Sequence, residues 1–173
     1  RLPALIAFRT CRGASLGGRI GTFDDLFAEV AAGLPDARAL AGDVQRTLAV
    51  RRAIDAVALD DLASSAPSRG FGDALLGTLG ELESALLDHD RVGGELARLA
   101  QAYRAELDRL RLWDRDGMRR KAAERLQTDL GAWNGEPVFA YGFDDLTGAE
   151  WALIEALAAR TEVTVSIPYE PGR

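Results

Sequence analysis

Residues 138–141, Val-Phe-Ala-Tyr, are apolar at every position, and Gly142 follows at once. A strand with one wet face alternates apolar and polar residues. One that is apolar on both faces needs cover on both, as the central strand of a parallel sheet has. The following residues narrow the choice further. Thr147-Gly148-Ala149-Glu150 has the spacing of a capping box, in which the Thr hydroxyl and the Glu carboxylate each accept a backbone N–H from the other's position. Leu146 and Trp151 are spaced as a hydrophobic staple, and Ile154 and Leu157 continue that face. A second strand-like run, residues 161–167 (TEVTVSI), stops at Pro168. Strand, capped helix, strand is the repeating unit of α/β sheets.

The start of the chain has the same texture. Residues 3–8 (PALIAF) read as a short buried strand, and Gly13, Gly17 and Gly18 mark a loop. Gly21-Thr22 then leads into a helix with Thr22 as its N-cap. Asp24 and Asp25 suit the positive end of that helix, which Gly33 and Pro35 terminate. Between the two ends, from about Asp36 to Asn134, the period is helical. One helix is expected over Val44–Leu59. Leu75, Leu79, Leu82 and Leu86 make an apolar stripe, as do Leu96, Leu99, Tyr103, Leu107 and Leu110, and a further helix is expected from about Asp116 to Trp133. The expectation is an α/β fold, a parallel sheet with a large all-helical insertion. Residues 1–35 and 136–173 form the platform and 36–135 the insertion.

Composition excludes several function classes. The 173 residues are 47% apolar, ample for a core, and carry a net charge of −6, which argues against a generally basic nucleic-acid surface. That charge is uneven: residues 91–134 hold ten basic and seven acidic side chains, +3, which leaves −9 for the rest. The single cysteine, Cys11, rules out an intrachain disulfide and fits a reducing, cytoplasmic setting. One cysteine and one histidine cannot make the paired ligand spacing of a zinc site. No apolar run approaches the roughly 20 residues of a membrane span, and no signal peptide is evident. The chain starts at Arg1 rather than at a methionine and stops just after a strand-like run, so it is expected to be part of a longer polypeptide.

The familiar catalytic constellations are also missing. A phosphate-binding loop places glycines before a lysine, but the only lysine, Lys121, follows Met118-Arg119-Arg120. His89 lies between Asp88 and Asp90 at a helix end, where an exposed, pairing histidine is the ordinary reading. Cys11 has no assignable base.

Two segments resemble helicase superfamily one, the UvrD/Rep/RecB group. Gly21-Thr22-Phe23-Asp24-Asp25-Leu26 is similar to that group's G-T-F-H-S-L motif, with Asp24 in the place of the usual His. Tyr141-Gly142-Phe143-Asp144-Asp145 is similar to its D-E-F-Q-D motif. That alignment puts Tyr141 on the Mg²⁺-binding aspartate and Gly142 on the catalytic glutamate. Mg²⁺ needs hard anionic oxygen, which neither residue supplies. About a hundred helical residues separate the two motifs, as the inserted accessory subdomain does in that group. The wording of the last segment looks most like the B subunits of AddAB-type helicase–nucleases.

The resemblance implies a partial RecA-like (P-loop NTPase-like) sheet and a helicase-like subunit of an ATP-dependent helicase–deoxyribonuclease in double-strand-break repair. Its ATPase site is degenerate at Tyr141, Gly142, Asp144 and Asp145. A phosphate loop would lie upstream of Arg1, and a nuclease domain of the PD-(D/E)XK type downstream of Arg173. No catalytic residue and no cofactor is expected in these residues, with ATP and Mg²⁺ left to the parent complex. The expected partners are DNA, single-stranded or a duplex end, and a helicase subunit, with no membrane. Nucleic-acid contacts fall on Thr22 and Phe23, by phosphate contact and base stacking, and on the basic cluster Arg119, Arg120 and Lys121. Each has a structural reading beside it: an N-cap and a core aromatic for the first two, a solvated helical face for the cluster, and helix-start acids for Asp144 and Asp145. A different class of function is a helical protein-interaction module on a small α/β platform, which the acidic balance favours.

Overall fold

The computed structural model describes residues 5–7, 19–87, 89–143 and 145–167, with only the backbone at 5–7, 89 and 90. Cys11, the 9–18 glycine loop, the His89 side chain, Asp144 and Pro168 lie outside the described residues. Two compact units partition the chain, 1–37 with 118–173 and 38–117. The first stretch contains β1 (Leu5–Ala7), β2 (Ile20–Gly21) and α1 (Phe23–Ala32). The 38–117 unit contains β3 (Ala39–Leu40), α2 (Asp43–Ala56), α3 (Phe71–Ser84), the single turn α4 (His89–Val92), α5 (Gly94–Arg109) and β4 (Leu112–Trp113). The chain ends with α6 (Arg115–Thr128), β5 (Val138–Tyr141), α7 (Gly148–Ala158) and β6 (Val163–Val165).

The fold is α/β. In the discontinuous unit, the sheet runs in the order β2-β1-β5-β6. β5 and β6 pair in parallel, Val138 opposite Val163 and Ala140 opposite Val165. The expected parallel sheet extends no further in this unit, because β1 is antiparallel to both β2 and β5. An apolar run dictates burial but carries no sign for strand direction, so PALIAF could not show this. The platform also takes more chain than expected. α6 from Met118 onward belongs with it and not with the 38–117 unit, and α6 ends at Thr128 instead of running on to Trp133. Asp129 stops the helix by accepting the Gly131 N–H at 2.8 Å, which caps a short 3₁₀ turn at Leu130–Ala132. Phe27, Leu126, Leu153 and Leu157 are fully buried and form the centre of this unit's core.

The α7 capping box is present: Glu150 accepts from Thr147 N–H at 2.9 Å and Thr147 Oγ1 accepts from Glu150 N–H at 3.3 Å. The staple is not. Ala149, Leu153, Ile154 and Leu157 line the buried face, and Trp151 is turned out of it, 43% exposed.

The 38–117 unit is built on α2, α3 and α5. Ala49, Val50 and Ala53 of α2 meet Leu75 and Leu79 of α3 and Leu99, Tyr103 and Leu107 of α5. The two leucine stripes therefore do face a common core, although Leu86 and Leu110 at their ends are exposed. Glu95 anchors the loop after α2, because its carboxylate accepts from the N–H groups of Asp60 and Leu62. Those donors hold the Glu95 carboxyl below its ordinary pKa, the Asp60 N–H contributing most.

α3 ends in a Schellman arrangement, with Leu87 N–H donating to Leu82 C=O and Leu86 N–H to Glu83 C=O. The left-handed residue such an ending requires is Leu86, at φ +56. A Cβ in that region costs roughly 1 kcal/mol. Leu86→Gly should therefore raise the unfolding free energy by about 0.5–1 kcal/mol in urea titration, despite removing an apolar side chain. A loss of stability would show that the exposed leucine makes a contact worth more than its backbone strain.

Candidate functional site

The GTFDDL segment lies at the start of α1. Thr22 is the N-cap, and its Oγ1 accepts from Asp25 N–H at 3.2 Å. Asp25 Oδ2 returns the bond, accepting from Thr22 N–H at 2.7 Å and from Thr22 Oγ1 at 2.8 Å. A reciprocal box of this kind satisfies two donors that a helix start leaves open. The Thr22 N–H is also the main reason the Asp25 carboxyl sits below its ordinary pKa. Gly21 makes room for this closure, since a Cβ there would lie 3.1 Å from Asp25 Oδ2.

Phe23, assigned to base stacking from the sequence, is buried. Its exposure is 3%, and its ring packs on Phe143 at 6.0 Å between centroids and an angle of 57°. The burial of Phe23 corrects the nucleic-acid assignment, because a ring inside the core has no free face for a base.

Arg119 is likewise committed within the fold. Its Nη2 lies 2.7 Å from Asp24 Oδ1, its Nε donates to the same oxygen at 2.9 Å, and its guanidinium sits over the Phe27 ring at 5.6 Å. The Arg119 side chain is only 13% exposed. A guanidinium held by a carboxylate and an aromatic face has part of its charge offset and part of its donor fork occupied, which weakens it as a phosphate contact. Lys121 pairs with Glu124 at 2.7 Å on the exposed side of α6. Arg120 is half-buried beside them. The expected strip of three cations is thus reduced by internal pairing.

Arg125 makes a second connection that no motif signals. Its Nη1 donates to the Val30 carbonyl at 2.6 Å, in the last turn of α1, and its Nε to Asp129 at 3.2 Å. A cation is favourable at that end of the helix dipole. Gly33 permits the approach, because a Cβ there would fall 1.9 Å from Arg125 Nη1. Asp24 to Arg119 and Val30 to Arg125 are both separations of 95 residues. Equal offsets at two rungs mean that α1 and α6 lie side by side and point the same way.

The second motif falls at the end of β5. Phe139 and Tyr141 stack at 5.6 Å on one side of the strand, while Val138 and Ala140 are buried on the other. Gly142 turns the chain at φ +80, a conformation that favours glycine over any residue with a Cβ. Phe143 goes into the core, and Asp145 is exposed ahead of α7. Asp144 lies outside the described residues. Among the described residues, no three His, Cys, Asp or Glu side chains converge as metal ligands, and no helix is long and apolar enough to cross a membrane.

A cavity of about 380 Å³ borders the first motif, lined by Arg19, Gly21, Thr22, Asp25, Leu26 and Glu29. Its polar groups are already matched, Arg19 to Glu29 and Thr22 to Asp25. No family model matches this chain, and no curated protein matches it.

Two measurements check the local energetics. A double-mutant cycle with Asp24→Asn and Arg119→Gln should return a coupling of about 1 kcal/mol, and a value near zero would mean the pair is only geometric. Asp25 contributes stability above its unfolded pKa, near 3.9, and loses it as pH falls through its lower folded value. Below about pH 4, stability should therefore fall less steeply with pH in Asp25→Asn than in the parent chain.

Proposed function

We propose that this chain is part of a helicase-like subunit of a DNA-repair helicase–nuclease, with a partial RecA-like platform that acts as a scaffold and has no nucleotide chemistry of its own. The supporting observation is the β5–α7–β6 unit. A parallel strand pair is joined through a capped helix, and Tyr141 and Gly142 stand at the strand end where the similar motif carries its two acids. Parallel strands of this type present ligands at their carboxyl ends. Here that end offers a phenol and a bare glycine turn. The left-handed φ of Gly142 extends the argument: a glutamate there would be strained as well as absent. The inward commitment of Phe23 and Arg119 favours scaffolding over DNA contact through those two residues, and a weak backbone contact by Thr22, Arg120 or Lys121 would compete with the interactions these residues already make.

A second reading, a protein-interaction module without nucleic acid, is favoured by that same commitment together with the net charge of −6. The two differ in outcome. On the first reading, an unphosphorylated thymidine oligonucleotide binds at low salt, weakens as salt rises, and binds less well to Arg120→Gln/Lys121→Gln. No binding at low salt would leave the interaction module. On either reading, adding Mg²⁺ to ATP should give no melting-temperature increase beyond that of ATP in EDTA. A clear Mg²⁺-dependent increase would overturn the loss of nucleotide chemistry at Tyr141 and Gly142.

A further inference from the structure

The 38–117 unit has a cavity of its own, about 380 Å³, where the second half of α2 meets the start of α3 and the turn preceding it. That volume is at the small end of the roughly 300–1,000 Å³ typical of small-molecule sites. Arg51 and Asp55 come from α2, Arg69 from the turn, and Asp73 from the first turn of α3. Each arginine has an aspartate four residues on, the spacing at which a helix pairs such charges. Among the described residues, neither arginine forms an ion pair, unlike Arg38, Arg52, Arg98 and Arg104 elsewhere in the unit. Two arginines and two aspartates, all exposed to solvent, therefore line one cavity without an ion pair among them. Thr47 and Ser68 also line it, and Ile54 and Pro67 give it an apolar side. Gly72, opposite Val50, keeps the wall open, since a Cβ there would lie 3.3 Å from Val50 Cγ1.

We infer that this cavity binds one nucleotide carrying a phosphomonoester, either free or as the 5′-phosphorylated end of a strand. Arg51 and Arg69, with Thr47 and Ser68, supply the fork-shaped and hydroxyl donors that a terminal phosphate takes. The apolar wall accepts the flat face of a base. Asp55 and Asp73 accept from the exocyclic amine or sugar hydroxyls, groups that inorganic phosphate lacks. The four charged side chains sum to zero, so a bare anion gains little there, and the ligand must bring donors as well as charge. This inference does not use β5, Tyr141 or Gly142, so it stands or falls separately from the scaffold reading.

The test is calorimetric titration of the whole chain, in EDTA at low salt, with adenosine monophosphate, inorganic phosphate, and a short thymidine oligonucleotide with and without a 5′-phosphate. Adenosine monophosphate, the phosphorylated oligonucleotide, or both should bind, at least tenfold more tightly than inorganic phosphate. Binding by the mononucleotide indicates a free ligand, and binding by the phosphorylated oligonucleotide alone indicates a strand end. Arg51→Gln and Arg69→Gln should each weaken binding at least tenfold with the melting transition retained, while Arg91→Gln, outside the cavity, should not. Adenosine monophosphate bound no more tightly than inorganic phosphate together with equal binding of the two oligonucleotides, no binding of any nucleotide, or full binding by folded Arg51→Gln and Arg69→Gln would overturn it.

Discussion

Two arginines tie α6 to α1 in the discontinuous unit. Arg119 reaches Asp24 at the start of α1, and Arg125 reaches the Val30 carbonyl near its end. Each places a cation where α1 has complementary charge: a first-turn carboxylate at one end and unsatisfied carbonyls at the other. Between those rungs, Phe27 and Val30 of α1 and Ala122 and Leu126 of α6 are buried. The ion pair and the carbonyl hydrogen bond select register and direction, and the apolar burial supplies the larger part of the stabilisation. Two helices that lie side by side and point the same way need a long connection. In this chain the 38–117 unit supplies it.

This pairing changes how the first motif reads. A Gly-Thr-Phe segment ahead of a helix can present a hydroxyl and an aromatic face to a strand of nucleic acid. Here Thr22 closes a capping box, Phe23 packs on Phe143, and Asp24 holds Arg119. Asp24 supplies the carboxylate that makes the Arg119 pair. That one carboxylate draws a basic residue in from the surface. At the end of β5, Gly142 is required by the turn itself.

Much of the local structure was legible. The Thr147–Glu150 capping box was readable because its partners are three residues apart, and helices because their apolar residues recur every three or four positions. Thr22, Thr147 and Glu150 take the cap positions their spacing implied, and Leu75, Leu79, Leu99 and Tyr103 are buried as their stripes implied. Errors came where a residue's surroundings lie far away in sequence. Trp151 looked like a staple and is exposed, because the buried face of α7 runs through Leu153 and Leu157. The Arg119 cluster looked like a surface strip because nothing near it in sequence announces Asp24.

By itself the sequence determined the α/β class, the helix starts, and the lack of a phosphate loop and of acids at Tyr141 and Gly142, while the stretch expected to be all-helical also holds the parallel strand pair β3–β4. Each rests on residue identity or on interactions within one turn. The tertiary structure decided the direction of β1, the transfer of α6 to the platform, the burial of Phe23 and the engagement of Arg119 and Arg125. The physical reason is range. Strand direction and ion-pair partners depend on groups roughly a hundred residues apart in the chain, and spacing along the sequence carries no information about which of them meet.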